Sequence, residues 1–162
     1  MKIRTLVVTG AVLVFGELVA MAVTPVPGTT IPAMSGHGWP TANDPCFTTS
    51  FAQVENTCVN GAQHLLVIPA AVPSTNIIYT ASAQVAGGSS TSGSTCQAMG
   101  IGPDNKSFWF SSLVTSTAWE TVQPLNLGQV GVPTNGTLHF ECEIGTADWY
   151  GIGGRVINVS FK

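Results

Sequence analysis

Charge is what this 162-residue chain has least of. Asp, Glu, Lys and Arg make up 8% of it, against about 25% in ordinary globular domains. Only five residues are basic, and they do not cluster. Nucleic-acid binding relies on grouped Lys and Arg against phosphate, so nucleic acid is excluded as a partner. The four cysteines contain no C-x-x-C pair, which removes the usual zinc and redox-dithiol arrangements, and no cofactor is expected. There is no G-x-S-x-G, so the nucleophile elbow of an α/β-hydrolase is missing. No helical period is visible after the first two dozen residues.

What is there begins with a targeting pattern. Lys2 and Arg4 precede a largely apolar run from Thr5 to Ala20, and Ala20-Met21-Ala22 supplies the small-x-small sequence that a signal peptidase reads. Glu17 and the breaks at Thr9, Gly10 and Gly16 make this run a poor membrane span, because a carboxylate at mid-bilayer is costly. Residues 1–22 are therefore expected to be a signal peptide, with no membrane span left after cleavage. The remaining 140 residues, Val23–Lys162, carry three basic and seven acidic side chains. The whole chain holds 13 Ser and 19 Thr, which take the place of charge on the surface. This is the composition of a secreted, periplasmic or cell-surface β-domain.

All four cysteines fall after the signal, and an even count in an exported chain reads as two disulfides. Three pairings are possible. The favoured one joins Cys46–Cys58 as a local clasp and Cys96–Cys142 as a link between strands. Chain-entropy estimates give about 3 kcal/mol for the short loop and about 4 kcal/mol for the longer one.

Residues 23–43 hold four prolines and three glycines without apolar periodicity, and read as a linker or extended arm. A single domain is expected over 44–162. Its best strand is Thr137–Ile144, where Leu138, Phe140, Cys142 and Ile144 alternate with His139, Glu141 and Glu143 after an Asn135-Gly136 turn. Residues 76–86 alternate almost as well. Further strands are expected at 47–54, 63–68, 95–101, 107–114, 119–127 (continuing weakly over 129–132) and 155–161. About eight short strands with turn signals every 8–15 residues or so predict an all-β fold, a two-sheet β-sandwich of jelly-roll or Greek-key type.

Candidate sites are sparse. His139, Glu141 and Glu143 share the polar side of one strand at a spacing of ~6.6 Å, too wide for all three to grip one ion unaided. They are weak metal candidates, and the same acids support an alternative reading as a small extracellular hydrolase. The aromatic residues are more suggestive. Phe108-Trp109-Phe110 puts rings on both faces of a strand, so at least one ring faces away from the core unless both sides are covered; if Phe108 and Phe110 are core, Trp109 is exposed or at an interface. Trp149-Tyr150 lies in a Gly-rich connection, where Trp149 has the simpler alternative of covering the end of the sandwich. Exposed rings are binding anchors, so Trp109, Trp149 and Tyr150 are the expected ligand contacts. Together these readings favour a non-catalytic binding or structural domain, with a carbohydrate or a cell-surface protein as partner.

Overall fold

The computed structural model describes residues 28–39, 45–59, 64–89, 91–116, 118 and 120–162. The expected signal peptide, the ends of the arm, residues 60–63 and Trp119 lie outside the described residues. Alternation produces the strongest strands: β5 (His64–Ala70), β6 (Ile77–Ala86), β7 (Thr95–Ile101), β10 (Gln123–Val132), β11 (Thr137–Ile144) and β12 (Arg155–Phe161). Six shorter strands complete the described set: β1 (Thr29–Pro32), β2 (His37–Trp39), β3 (Phe47–Ser50), β4 (Gln53–Asn56), β8 (Phe108–Phe110) and β9 (Val114–Thr115).

These strands form two antiparallel six-stranded sheets. The first runs β10-β6-β12-β4-β3, with β1 also paired to β12; the second runs β2-β5-β11-β7-β8, with β9 also paired to β7. From β9 onward the chain alternates between sheets, which makes the molecule a β-sandwich. Leu138, Phe140 and Ile144 of β11 and Leu66 and Ile68 of β5 face Val85, Val130, Val132, Val156 and Val159 of the opposite sheet, all fully buried. Each such side chain contributes roughly 1.5–3 kcal/mol relative to exposure.

Several details differ from the sequence reading. Twelve strands replace eight, partly because the segment 47–54 is a hairpin. Ser50 pairs with Gln53 across Phe51 and Ala52, whose φ values are 48° and 68°. A two-residue turn with both φ positive is normally written Asn-Gly, so Phe-Ala gave no warning. The arm is also part of the sheets: β1 pairs with β12 and β2 with β5, strands of four and three residues that are too short to show a period. In β10, Gly128 (φ +80°) forms a bulge after Asn126. The extra residue, Leu127, shifts the phase by one, so that the core positions pass from Leu125 and Leu127 to Val130 and Val132.

Both expected disulfides are present. Cys96 and Cys142 stand directly opposite each other on β7 and β11, so their bond ties neighbouring strands of one sheet instead of bridging the two sheets. The far end of the sandwich is closed by buried polar groups. Asn56 donates from Nδ2 to the Ile144 carbonyl (3.0 Å) and accepts from the Cys58 N–H (3.0 Å). Ser94 donates to the Ala86 carbonyl (2.8 Å) and accepts from the Gly145 N–H (3.3 Å).

Candidate functional site on the outer face of the second sheet

Because side chains alternate along a strand, burying Leu138, Phe140 and Cys142 sends His139 and Glu141 to the opposite face. Register then fixes their neighbours. Glu141 stands opposite Val67 on one side and Gln97 on the other, and Val67 in turn opposite His37. His139 stands opposite Met99, which stands opposite Phe110. Leu65 pairs with Trp39, and Ile101 with Phe108. This outer face holds a cavity of about 480 Å³ lined by His37, Trp39, Leu65, Val67, Met99, Ile101, Phe108, His139 and Glu141. A smaller recess of about 200 Å³ adjoins it, reaching Thr95, Gln97, Leu113 and Glu143.

The groove is apolar along its floor, has a ring towards each edge of the sheet, and holds a few polar groups near its middle. Trp39 is 60% exposed and Phe108 46%, so neither ring serves chiefly to fill the interior. Phe108 and Phe110 lie with ring centroids 6.3 Å apart and planes 19° from parallel. Glu141 accepts a hydrogen bond from the Gln97 amide (2.8 Å), and His139 Nε2 lies 3.1 Å from the Thr137 hydroxyl. Burial against the apolar floor pushes the His139 pKa below its ordinary value of 6.5; Glu141 opposes this and His37 adds to it. Such an arrangement can stack on a ligand ring at either edge and hydrogen-bond it at the centre.

The other outer face differs in chemistry. Thr80, Ser82, Asn126 and Ser160 line a shallow recess there. Ser82 and Ser160 share a hydrogen bond of 2.7 Å, and Asn158 donates to Gln84 (3.1 Å). That face offers hydroxyls and amides bonded to one another.

The residues expected from sequence are placed as follows. Trp109 is partly exposed and packs over Gly131, its Cδ1 3.7 Å from where a Cβ on that glycine would stand. Phe108 and Phe110 are exposed on the outer face and not in the core, because β8 is an edge strand of three residues whose outer side has no layer above it. Trp149 and Tyr150 are 88% and 83% exposed, so Trp149 does not cover the end of the sandwich. Asp148 holds their loop: its Oδ1 accepts from the Tyr150 and Ile152 N–H groups (both 2.9 Å), and Gly151 takes φ +80°.

Trp109 pairs through Gly100 with the level of Leu138. The Trp149 loop lies beyond Ile144, six residues or ~20 Å further along β11. The structure does not bring these rings together. It gathers instead Trp39, Phe108, His139 and Glu141, of which only the last two had been singled out. The missed signal was apolar residues on both faces of one strand. Leu65-Leu66-Val67-Ile68 and Met99 with Ile101 were legible only as strand, since a run buried by a covering layer and a run that floors a groove look alike.

Glu143 is exposed and lies in the adjoining recess; His139, Glu141 and Glu143 do not converge on one point. Among the described residues the one convergent set of ligand types is Cys46, Cys58 and His64, within 4.8 Å of one another. Its two sulfurs are bonded to each other.

No family model matches the sequence, and no curated protein matches it. Solved structures do. One is the GH26-CBM35 β-(1,4)-mannanase of Podospora anserina, 14% identical, TM-score 0.52, matched over 83% of this chain and 27% of that one. Another is the isomalto-dextranase of Arthrobacter globiformis T6 complexed with panose, 15% identical, TM-score 0.50, over 83% and 23%. The likeness is one of fold. This chain spans about a quarter of the length of each.

Proposed function

We propose that this is an exported, non-catalytic carbohydrate-binding domain whose site is the groove on the outer face of the β2-β5-β11-β7-β8 sheet. The observation that carries the reading is the pairing of exposed rings, Trp39 and Phe108, with His37, His139 and Glu141 around one apolar cavity. A sugar ring has an apolar face suited to an aromatic side chain and hydroxyls suited to imidazole and carboxylate groups. The enzymes whose folds are similar bear names that refer to polysaccharides, a mannanase and an isomalto-dextranase, which directs the choice of ligands. The two disulfides suit an oxidising compartment outside the cytoplasm. Trp149 and Tyr150 form a separate exposed pair and are proposed as a secondary contact.

Affinity electrophoresis and calorimetry against soluble mannan, dextran and other neutral polysaccharides test this reading. One of them should bind, and Trp39→Ala or Phe108→Ala should each weaken it about tenfold or more, the loss typical of an aromatic anchor. Binding that survives both substitutions removes the groove as the site. The same mixtures distinguish the hydrolase alternative. Generation of new reducing ends, abolished by Glu141→Gln or Glu143→Gln, would make the domain an enzyme.

A further inference from the structure

Beside the buried Asn56, the side chains of Cys46, Cys58 and His64 bring two sulfurs and an imidazole nitrogen within 4.8 Å of one another. The backbone itself keeps the two cysteines side by side. Phe47 and Asn56 are the last pair of the β3–β4 hairpin. Just beyond it, the Cys46 carbonyl accepts from the Thr57 N–H (2.8 Å) and hydroxyl (3.2 Å). The Cys58 N–H donates to Asn56 Oδ1 (3.0 Å), and the Cα atoms of the two cysteines stand 5.0 Å apart. His64 comes from the other sheet, where it stands opposite Ile144 on β11. Its ring meets that of Phe47 edge-on, centroids 6.0 Å apart. Cys46 is buried, whereas Cys58 and His64 are only partly so, and the set therefore sits at the rim of the core.

Around a tetrahedral zinc ion, bonds of about 2.0–2.3 Å place the ligand atoms ~3.5–3.8 Å apart. Bonded to each other, the two sulfurs cannot act as thiolates; parted, they and the imidazole fall within the span of one ion. We propose that reduction of Cys46–Cys58 turns this cluster into a binding site for Zn²⁺, held by the two thiolates and the His64 imidazole. A phosphine reductant is oxidised to its oxide with oxygen from water, and the disulfide becomes two thiols. Each thiol then gives up its proton as its sulfur binds the ion. Two thiolates balance the charge of the ion, and water takes the fourth position. Sulfur ligands select Zn²⁺ over Ca²⁺ or Mg²⁺. The bound ion ties the β3–β4 hairpin of the first sheet to β5 of the second. The site is separate from the groove and does not depend on the carbohydrate reading.

The test treats the isolated protein with a water-soluble phosphine in the absence of denaturant, with alkylation of a sample to show that Cys46 and Cys58 are free. Co²⁺, a spectroscopic stand-in for Zn²⁺, should then give a thiolate-to-cobalt charge-transfer band. Added Zn²⁺ should abolish the band, and a large excess of Ca²⁺ or Mg²⁺ should leave it. The oxidised protein should give no band. His64→Gln, reduced in the same way, should bind Zn²⁺ more weakly by at least the about 10- to 100-fold that loss of a mere outer partner costs. A second reading needs no variant: in NMR spectra of the reduced wild type, Zn²⁺ should shift the His64 ring protons and leave those of His37 and His139 in place. The proposal is overturned if the reduced protein gives no band, if the oxidised protein gives the same one, or if Ca²⁺ or Mg²⁺ removes it. It is equally overturned if His64→Gln binds Zn²⁺ as tightly as the wild type, or if the His64 ring protons do not respond.

Discussion

Asn56 shows how much a single side chain can hold in a domain with few charges. It is completely buried, and its amide donates to the Ile144 carbonyl, 88 residues along the sequence, while accepting from the nearby Cys58 N–H. Asn56→Ala leaves both groups without their partner, and stability should fall by about 1–3 kcal/mol, measured by urea denaturation. His139 gives the molecule a pH dependence of known sign. Its folded-state pKa lies below the ordinary 6.5, so the unfolded chain binds the proton more readily than the folded one. Its contribution is therefore complete above pH 6.5 and is lost as pH falls through and below that value. Melting temperatures recorded between about pH 8 and 5 should decline toward acid, and His139→Gln should flatten that decline. Neither role was legible in the sequence. Asn56 lies between the strands expected at 47–54 and 63–68, where no pattern marks a buried amide, and the desolvation of His139 depends on Leu65, Val67 and Met99, which come from other strands.

At the scale of elements, legibility followed strand length. β6 and β11 are long enough for alternation to show which face is buried, and Tyr79, Ala81, Ala83 and Val85 are in the core as that pattern requires. β1 and β2 have four and three residues and owe their existence to a neighbour's unpaired edge, which no local pattern records, whereas β8 and the first residue of β9 fall inside the expected strand 107–114. The split of 47–54 at Phe51-Ala52 and the shifted phase after Gly128 are backbone events, of which only the glycine leaves a trace in the sequence. The two disulfides also differ in setting. Cys96 and Cys142 are both fully buried on adjacent strands, whereas Cys58 is only partly buried. Thiol–disulfide exchange needs access to a sulfur. A mild reductant under native conditions should therefore open Cys46–Cys58 first, and Cys96–Cys142 should resist until denaturant is added. Alkylation followed by peptide mapping checks the order. Replacing Cys96 and Cys142 together by alanine should cost about 2–5 kcal/mol, more than opening the shorter clasp.

The whole molecule presents two unlike outer faces, and the difference decides how it should meet a ligand. On the face formed by β6, β10 and β12, hydroxyls and amides bond to each other, as Ser82 does to Ser160. On the other face, rings and aliphatic side chains from five strands leave a groove that crosses the sheet. Trp39 on β2 and Phe108 on β8 are separated by four strand spacings in the sheet order and are also offset along the strands, Trp39 level with Glu143 and Phe108 with Thr137, so their backbones stand at least ~19 Å apart at the usual spacing between strands. A single sugar cannot reach both rings; an extended oligosaccharide can. Affinity in a series of oligosaccharides of increasing length should therefore rise until the ligand spans the distance between the rings, and then level off. Trp39→Ala should shorten the length at which it levels, because only the Phe108 end remains to be reached. The ligands are neutral, so the curve should change little between low and high salt, where screening weakens charge pairing. Isothermal titration of the series at two salt concentrations reads both effects. Affinity that is already maximal for a monosaccharide would confine recognition to one end of the groove, and steep salt dependence would point to a charged ligand instead.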